Sequence, residues 1–341
     1  MRSHRALGPT LADVARQAGV SMPTVSRVLS GAAPVSPARR EAVEQAIAEL
    51  GYRPNPAARA LARGQQTMVG VITHNTVRFG YATTMQGVQD GARDAGFSVA
   101  IAVVESATDS DVDRAIDLVL SQPIAGVIVM LFDPIGQRVL ERLPAHIPVV
   151  VAGGLPRGGG VPGVIIDDDD AGYRATRFLL DQGHATVHHA AIPVDQRERG
   201  RHAGWRRALQ DAGALIPHMI ECDYDPASGY EGAGQLVDRY RAGELSAVLC
   251  GNDDIALGVY AKFADEGINI PDDVSVVGFD DERFASMLRP ALTTVRQDFR
   301  AVGQKAFTML HSRLGGHAAD VVVELRAELV ERDSHQQVPK R

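Results

Sequence analysis

Cysteine is nearly absent from this chain of 341 residues. Cys222 and Cys250 are the only two, and their spacing is not that of a metal site. They read as buried apolar side chains, with a pairing between them as the alternative. A disulfide framework is thereby excluded and a zinc site disfavoured. No apolar run reaches the length of a membrane span, and the opening MRSHRALGPT contains no apolar segment of the kind that directs export. The sequence therefore predicts a cytoplasmic protein. Also missing are the G-x-S-x-G elbow, the P-loop and the H-E-x-x-H pair, which leaves an enzyme without its usual motif support and implies no cofactor.

What is present is ordinary globular composition, 45% hydrophobic and 23% charged, in a chain long enough to bury at least two cores. The net charge of −7 is unevenly spread. Residues 1–64 hold nine arginines against Asp13, Glu41, Glu44 and Glu49, a surplus of five positive charges, so the remainder carries −12. A basic head on an acidic body suits a small module drawn to phosphates and carried by a body that is not.

The head contains the most informative stretch, TLADVARQAGVSMPTVSRVLS from Thr10 to Ser30. Thr10 and Asp13 stand at capping-box spacing, and Leu11, Val14, Ala15 and Ala18 fall on one helical face. Gly19 permits a tight turn, Ser21 can cap a second helix, and Val25, Val28 and Leu29 give that helix a matching apolar stripe. Met22, Pro23, Thr24 and Arg27 are left facing outward. This is the layout of a helix-turn-helix, whose second helix enters the DNA major groove, rather than of a plain helical hairpin. Ser36-Pro37 starts a third helix that ends at Gly51. YRPNPAARALARG then offers Asn55 as the cap of a helix barely two turns long, too short to persist without a partner or DNA; its alternative is a linker.

From Met68 the pattern changes to short apolar runs separated by helical periods: MVGVIT, SVAIAVV, GVIVM and PVVVA, then VII, VHHAAI, AVLC and SVVGF. Such alternation predicts parallel sheets covered on both faces, and two sets of runs predict two lobes, with a ligand at the carboxyl ends of the strands between them. Three features look like sites and are read otherwise. Asp167 to Asp170 open a helix, where carboxylates cap and meet the dipole. GGLPRGGG, 153–160, lacks phosphate-loop spacing and reads as a surface turn. His188 and His189 alternate in a strand and point to opposite faces.

TLADVARQAGVSMPTVSRVLS, YRPNPAARAL, VVGFDD and LTTVRQDFRAVGQ together resemble the LacI/GalR family of bacterial regulators over nearly the whole chain. The resemblance implies an N-terminal all-α helix-turn-helix domain plus an α/β periplasmic-binding-protein-like core of two doubly wound parallel-sheet lobes. Its boundaries would be a DNA-binding domain at 1–54, a hinge helix and linker at 55–66, and a core at 67–341. Lobe 1 would take about 67–166 and 296–318, lobe 2 about 167–295 and 319–332. DNA contact falls to Thr10, Ser21, Met22, Pro23, Thr24, Ser26 and Arg27, and in the hinge to Asn55, Ala58 and Leu61, with Leu61 as a wedge in the minor groove.

Effector contact carries over to Phe79, Tyr81, Arg201 in RHAGW, Tyr224 in DYDPASG, Asn252 in GNDDIALG, Asp280 in VVGFDD, and Gln297 and Phe299 in RQDF. Those residue types suit a sugar, since they combine donors and acceptors for hydroxyls with rings for a pyranose face. At the end of PVVVA the resemblance leads one to expect an effector-binding aspartate, and Gly153 stands there instead. No apolar heptads follow SHQQVPKR, so a homodimer is expected rather than a tetramer. The expected function is a repressor of a sugar or glycoside operon that binds a palindromic double-stranded operator, controlled by a small sugar-like effector. A nucleoside- or purine-responsive regulator is the alternative. A sugar-transport binding protein, or an enzyme using Asp280 or Asp281 as acid or base, are more distant ones.

Overall fold

The computed structural model describes residues 9–30, 34–52, 66–193, 199–317 and 321–338, and the chain divides into two compact units between Thr67 and Met68. Asn55, Ala58 and Leu61, and the hinge helix they would form, lie outside the described residues.

The first unit contains three helices, α1 (Leu11–Gln17), α2 (Met22–Ser30) and α3 (Pro37–Leu50). The capping box forms as expected: Asp13 donates its backbone N–H to Thr10 Oγ1 at 3.3 Å, and Asp13 Oδ2 accepts from the Thr10 N–H at 2.9 Å. Gly19 takes the left-handed backbone of the turn, with φ at +63°. The Ser21 hydroxyl pairs with Thr24 Oγ1 at 2.9 Å, and its carbonyl accepts the N–H groups of Thr24 and Val25. Ser36 precedes Pro37 as predicted, but its side chain makes no capping bond. Val14, Val25 and Val43 are fully buried, with Leu11, Ile47 and Tyr52 packed around them. Each helix thus buries one stripe in a common core.

The second unit is the two-lobed α/β core. Lobe 1 runs through β1 (Met68–Thr73), α4 (Phe79–Asp94), β2 (Ser98–Val103), α5 (Asp109–Leu120), β3 (Gly126–Met130), α6 (Pro134–Arg142), β4 (Val149–Gly153) and β5 (Gly163–Ile166). Lobe 2 follows with α7 (Asp168–Asp181), β6 (His188–Ala191), α8 (Arg201–Asp211), β7 (Ile220–Glu221), α9 (Pro226–Arg241), β8 (Ala247–Cys250), α10 (Asp253–Asp265), β9 (Ser275–Asp280) and β10 (Thr293–Arg296). The chain then returns to lobe 1 as α11 (Phe299–Leu314) and ends in β11 (Val322–Leu325) and β12 (Glu328–Val330).

Each sheet has six strands, ordered β11-β5-β4-β3-β1-β2 and β12-β10-β9-β8-β6-β7. All pairings are parallel except that β12 runs antiparallel to β10 at the edge of the second sheet. β3 and β8 are buried along their whole length, which their unbroken apolar sequences anticipate for strands covered on both faces.

One segment departs from the expected partition. Residues 319–332 were expected in lobe 2, yet β11 pairs with β5 in lobe 1, and only β12 belongs to lobe 2. Val322 and Leu325 lie opposite Gly163 and Ile166 in that register, extending lobe 1's sheet by one strand. The chain therefore passes between the lobes three times, after β5, after β10 and between β11 and β12. In lobe 1, α11 lies against α4 through paired glycines: a Cβ on Gly87 would sit 2.1 Å from the Arg300 carbonyl oxygen, and one on Gly303 2.0 Å from that of Thr84. Arg300 closes the contact with Nε 2.8 Å from the buried Asp90 carboxylate.

Candidate ligand cleft and nucleic-acid interface

The carboxyl ends of β3, β4 and β5 in lobe 1 and of β6 in lobe 2, with the start of α8, line a cavity of about 510 Å³. Strand ends turned toward a crevice are where open α/β sheets bind ligands. Arg201 is the hub on the lobe 2 side. It is the first residue of α8, only 8% exposed, and its guanidinium satisfies four acceptors. Nε donates to Asp168 at 3.2 Å, one terminal nitrogen donates to Asp280 at 3.0 Å and Gln297 at 2.8 Å, and the other reaches the Gly251 carbonyl. The plane also lies on the Phe279 ring, 4.1 Å from its centre. Gln297 in turn donates its amide to Asp168. Three of the predicted effector residues, Arg201, Asp280 and Gln297, thus meet, and two of them bond Asp168, one of the carboxylates placed above at the start of a helix.

Burial shapes the charges here. It pushes Asp280 up to about 6 against the pull of Arg201, and the neighbouring Asp168 carboxylate raises it further. Burial also lowers the Arg201 guanidinium, but Asp168 and Asp280 outweigh this and hold it above its usual value. Asp253 is fully buried and desolvation raises its pKa well above the ordinary aspartate value, although Thr294 donates to it at 2.6 Å and the Glu282 N–H at 2.7 Å. Glu282 is itself pushed up to about 7, first by burial and then by Asp254 and Asp280. Asp280 and Asp281 have φ of 104° and 55°, a left-handed backbone that costs free energy at non-glycine residues and is over-determined here. Arg296 and Arg332 hold the Asp281 carboxylate at 2.7 and 2.6 Å. Both carboxylates once weighed as an acid or base are therefore engaged by arginine.

The lobe 1 side is aromatic. Phe132 stands edge-on to Tyr81 and Phe299, with ring centres 4.9 and 5.8 Å apart, and Phe79 meets Phe299 at 6.0 Å. The buried Tyr81 hydroxyl donates to Asp133, and burial followed by that carboxylate raises its pKa. Asp133 also caps α6 by accepting from the Ile135 and Gly136 N–H groups. The missing aspartate at position 153 has a steric explanation. Gly153 has φ of 114°, and a Cβ there would come within 2.5 Å of the Phe132 ring. A ring has taken the space of a polar side chain.

The remaining predicted residues have mixed placements. Asn252 is buried and occupied: its Oδ1 caps α10 through the Ile255 N–H at 2.8 Å, and its amide donates to the Tyr224 carbonyl at 2.9 Å. It positions Tyr224 more than it faces the cavity. Phe299 is 4% exposed and belongs equally to the core beneath α11. Of the predicted effector set, only Arg201 lines the cavity itself. Phe132, Asp133 and Asp168, which also line it, were missed. One signal was available: each lies within three residues of the carboxyl end of an apolar run. The 153–160 stretch is a turn, as read, and Gly153, Gly154, Leu155 and Arg157 bring it to the cavity wall. Asp167 accepts from the Asp169 and Asp170 N–H groups, as a cap should. His189 is buried, held down to about 4 by desolvation, and bonded to the Leu249 carbonyl. Cys222 and Cys250 are buried free thiols.

On the first unit, Thr10, Ser21, Met22, Pro23, Ser26 and Arg27 are exposed and Thr24 is half-buried. The outer face of α2 thus presents short polar side chains, Met22 and one arginine, with Val25 turned inward, as a recognition helix requires.

A helical DNA-reading unit joined to a two-lobed binding core is the architecture of a ligand-responsive transcriptional regulator. Comparison with known proteins narrows the class. Residues 10–55 match the bacterial regulatory proteins of the lacI family, and residues 176–335 match the periplasmic binding protein-like domain. Catabolite control protein A of Priestia megaterium is 33% identical over 320 residues, covering 91% of this chain and 94% of that protein. The HTH-type transcriptional repressor PurR of Erwinia tasmaniensis is 32% identical over 335 residues, 95% of this chain and 96% of the other. Among solved structures, a lac repressor dimer bound to operator and the anti-inducer ONPF superposes with a TM-score of 0.87 at 30% identity, over 97% of this chain and 100% of that one. A complex of the transcriptional regulator CelR with cellobiose gives 0.69 at 31% identity, over 96% and 99%. The chain belongs to the LacI family and is a DNA-binding transcriptional regulator. Its relatives are regulators rather than enzymes, and no helix among the described residues is long and apolar enough to cross a membrane.

Proposed function

We propose that this regulator represses a sugar or glycoside utilisation operon, binding a palindromic operator as a homodimer in the cytoplasm and responding to a small sugar-like effector held between its lobes. The observation that carries the reading is the pairing of Arg201 with Asp168 on the cavity wall, a donor and an acceptor side by side across from the Phe132 ring, with Asp280 and Gln297 holding the guanidinium from behind. Vicinal hydroxyls on a ring with an apolar face match such a wall. The cell's purines are the second reading, favoured by the similarity to PurR and by the aromatic cluster of Tyr81, Phe132 and Phe299.

A melting-temperature screen over mono- and disaccharides, nucleosides and free purines separates the two, because a ligand bound only by the folded protein raises its melting point. A shift with sugars alone supports the proposal; a shift with purines alone replaces it. On the DNA side, Arg27→Ala should weaken the operator complex strongly, since Met22 and Pro23 offer only apolar contact. Unchanged gel-shift affinity for operator and random duplex alike would remove α2 from the interface.

A further inference from the structure

Arg78 and Tyr224 make a contact between the lobes to which no role is assigned. Arg78 immediately precedes α4 in lobe 1, Tyr224 follows β7 in lobe 2, and the guanidinium carbon lies 4.0 Å from the centre of the tyrosine ring. Both partners are mounted. Asn75 Oδ1 accepts from the N–H groups of Val77 and Arg78, each at 2.8 Å, and the Thr73 hydroxyl donates to the Asn75 carbonyl at 2.8 Å. On the other side the buried Asn252 amide holds the Tyr224 carbonyl. The Arg78 guanidinium makes no hydrogen bond or ion pair with a described residue, so the ring is its partner. Arg201 and Arg207, by contrast, are each bound to aspartate.

Strand order gives this contact its leverage. The three connections between lobes leave from β5 and β11, at one edge of the first sheet, and from β10 and β12, at the edge of the second. Arg78 follows β1 and Tyr224 follows β7, strands toward the opposite edges. The chain itself ties the lobes on one side, and a cation–π pair ties them on the other. One such contact is weak enough to open thermally and directional enough to re-form, unlike a buried ion pair.

We infer that Arg78 and Tyr224 form a latch on the side of the cleft away from the connections, and that Arg78 is a positioning residue there. Its guanidinium covers one face of the ring predicted to receive a sugar, so that face is offered only as the latch opens. The link to sugar entry rests on the function proposed above; the latch does not.

Hydrogen exchange on the full-length protein without added sugar tests it. In Arg78→Ala, amides of residues 74–82 and 222–226 should exchange about two- to fivefold faster, the factor expected for losing one cation–π contact. Amides at the connections, 166–170 and 296–300, should be unchanged. Tyr224→Leu should give the same acceleration, the double variant no more than either, and Arg78→Lys, which keeps a cation over the ring, should stay near the parent. Unchanged exchange in both single variants, additive acceleration in the double, or equal loosening at the connections would each overturn the latch. Because no sugar enters the measurement, a protein that answers to no carbohydrate would leave its result standing.

Discussion

Arg201 is bound by two carboxylates that would repel each other without it. Removing one partner of a buried charged set costs about 3–5 kcal/mol, much of it the desolvation of what is left behind. Arg201→Ala should therefore abolish the effector response and also lower the melting point at pH 8. At pH 5.5 the loss should be smaller, because Asp280, already raised to about 6, then carries a proton. Melting curves at the two pH values decide it: an equal drop would mean that the Asp280 charge is not what suffers. Glu282 gives a second expectation of the same kind. Its folded-state pKa of about 7 exceeds the ordinary glutamate value, so the folded chain binds more protons than the unfolded one between about 4.5 and 7. Stability from this group is present at low pH and is lost as pH rises through 7. Glu282→Gln should raise the melting point at pH 8 and leave it nearly unchanged at pH 5; a variant no more stable than the parent at pH 8 refutes the assignment.

At the scale of elements, much was legible because the signals are local. The Thr10–Asp13 box, Gly19 and the 3.6-residue stripes give α1 and α2, and the apolar runs give the buried strands. Arg201, Asp280 and Gln297 were legible through motifs. Asp168 was not, because its partners Arg201 and Gln297 lie 33 and 129 residues away, and no local pattern records such a meeting. β11 was misassigned for a related reason: a four-residue strand carries no mark of which sheet it joins. The pairing of α4 with α11 was likewise invisible until two glycines met across it. Gly87→Ala would push a methyl group into the Arg300 carbonyl, and such overpacking costs about 1–3 kcal/mol. Its melting point should fall while the circular dichroism spectrum stays that of the parent; no fall would mean that the two helices can separate without penalty.

At the scale of the whole molecule, the last described segment closes both lobes. β11 completes the first sheet and β12 the second. Ser334 then accepts the Thr293 N–H at 2.8 Å and donates to the Val276 carbonyl at 2.6 Å. A chain ended after residue 317 should lose protection at β5 and β10 together, read by hydrogen exchange. Loosening confined to lobe 2 would show that β11 is dispensable. The interlacing also has a consequence in time. A ribosome adds about 5–20 residues per second, so the stretch from Gln297 to Val338 takes a few seconds to make. Throughout that interval the nascent protein holds two unfinished sheets with bare edges, and neither half can mature ahead of the other. A premature stop between Gln297 and Val321 would leave the first lobe, translated long before, without β11 as surely as it leaves the second without β12.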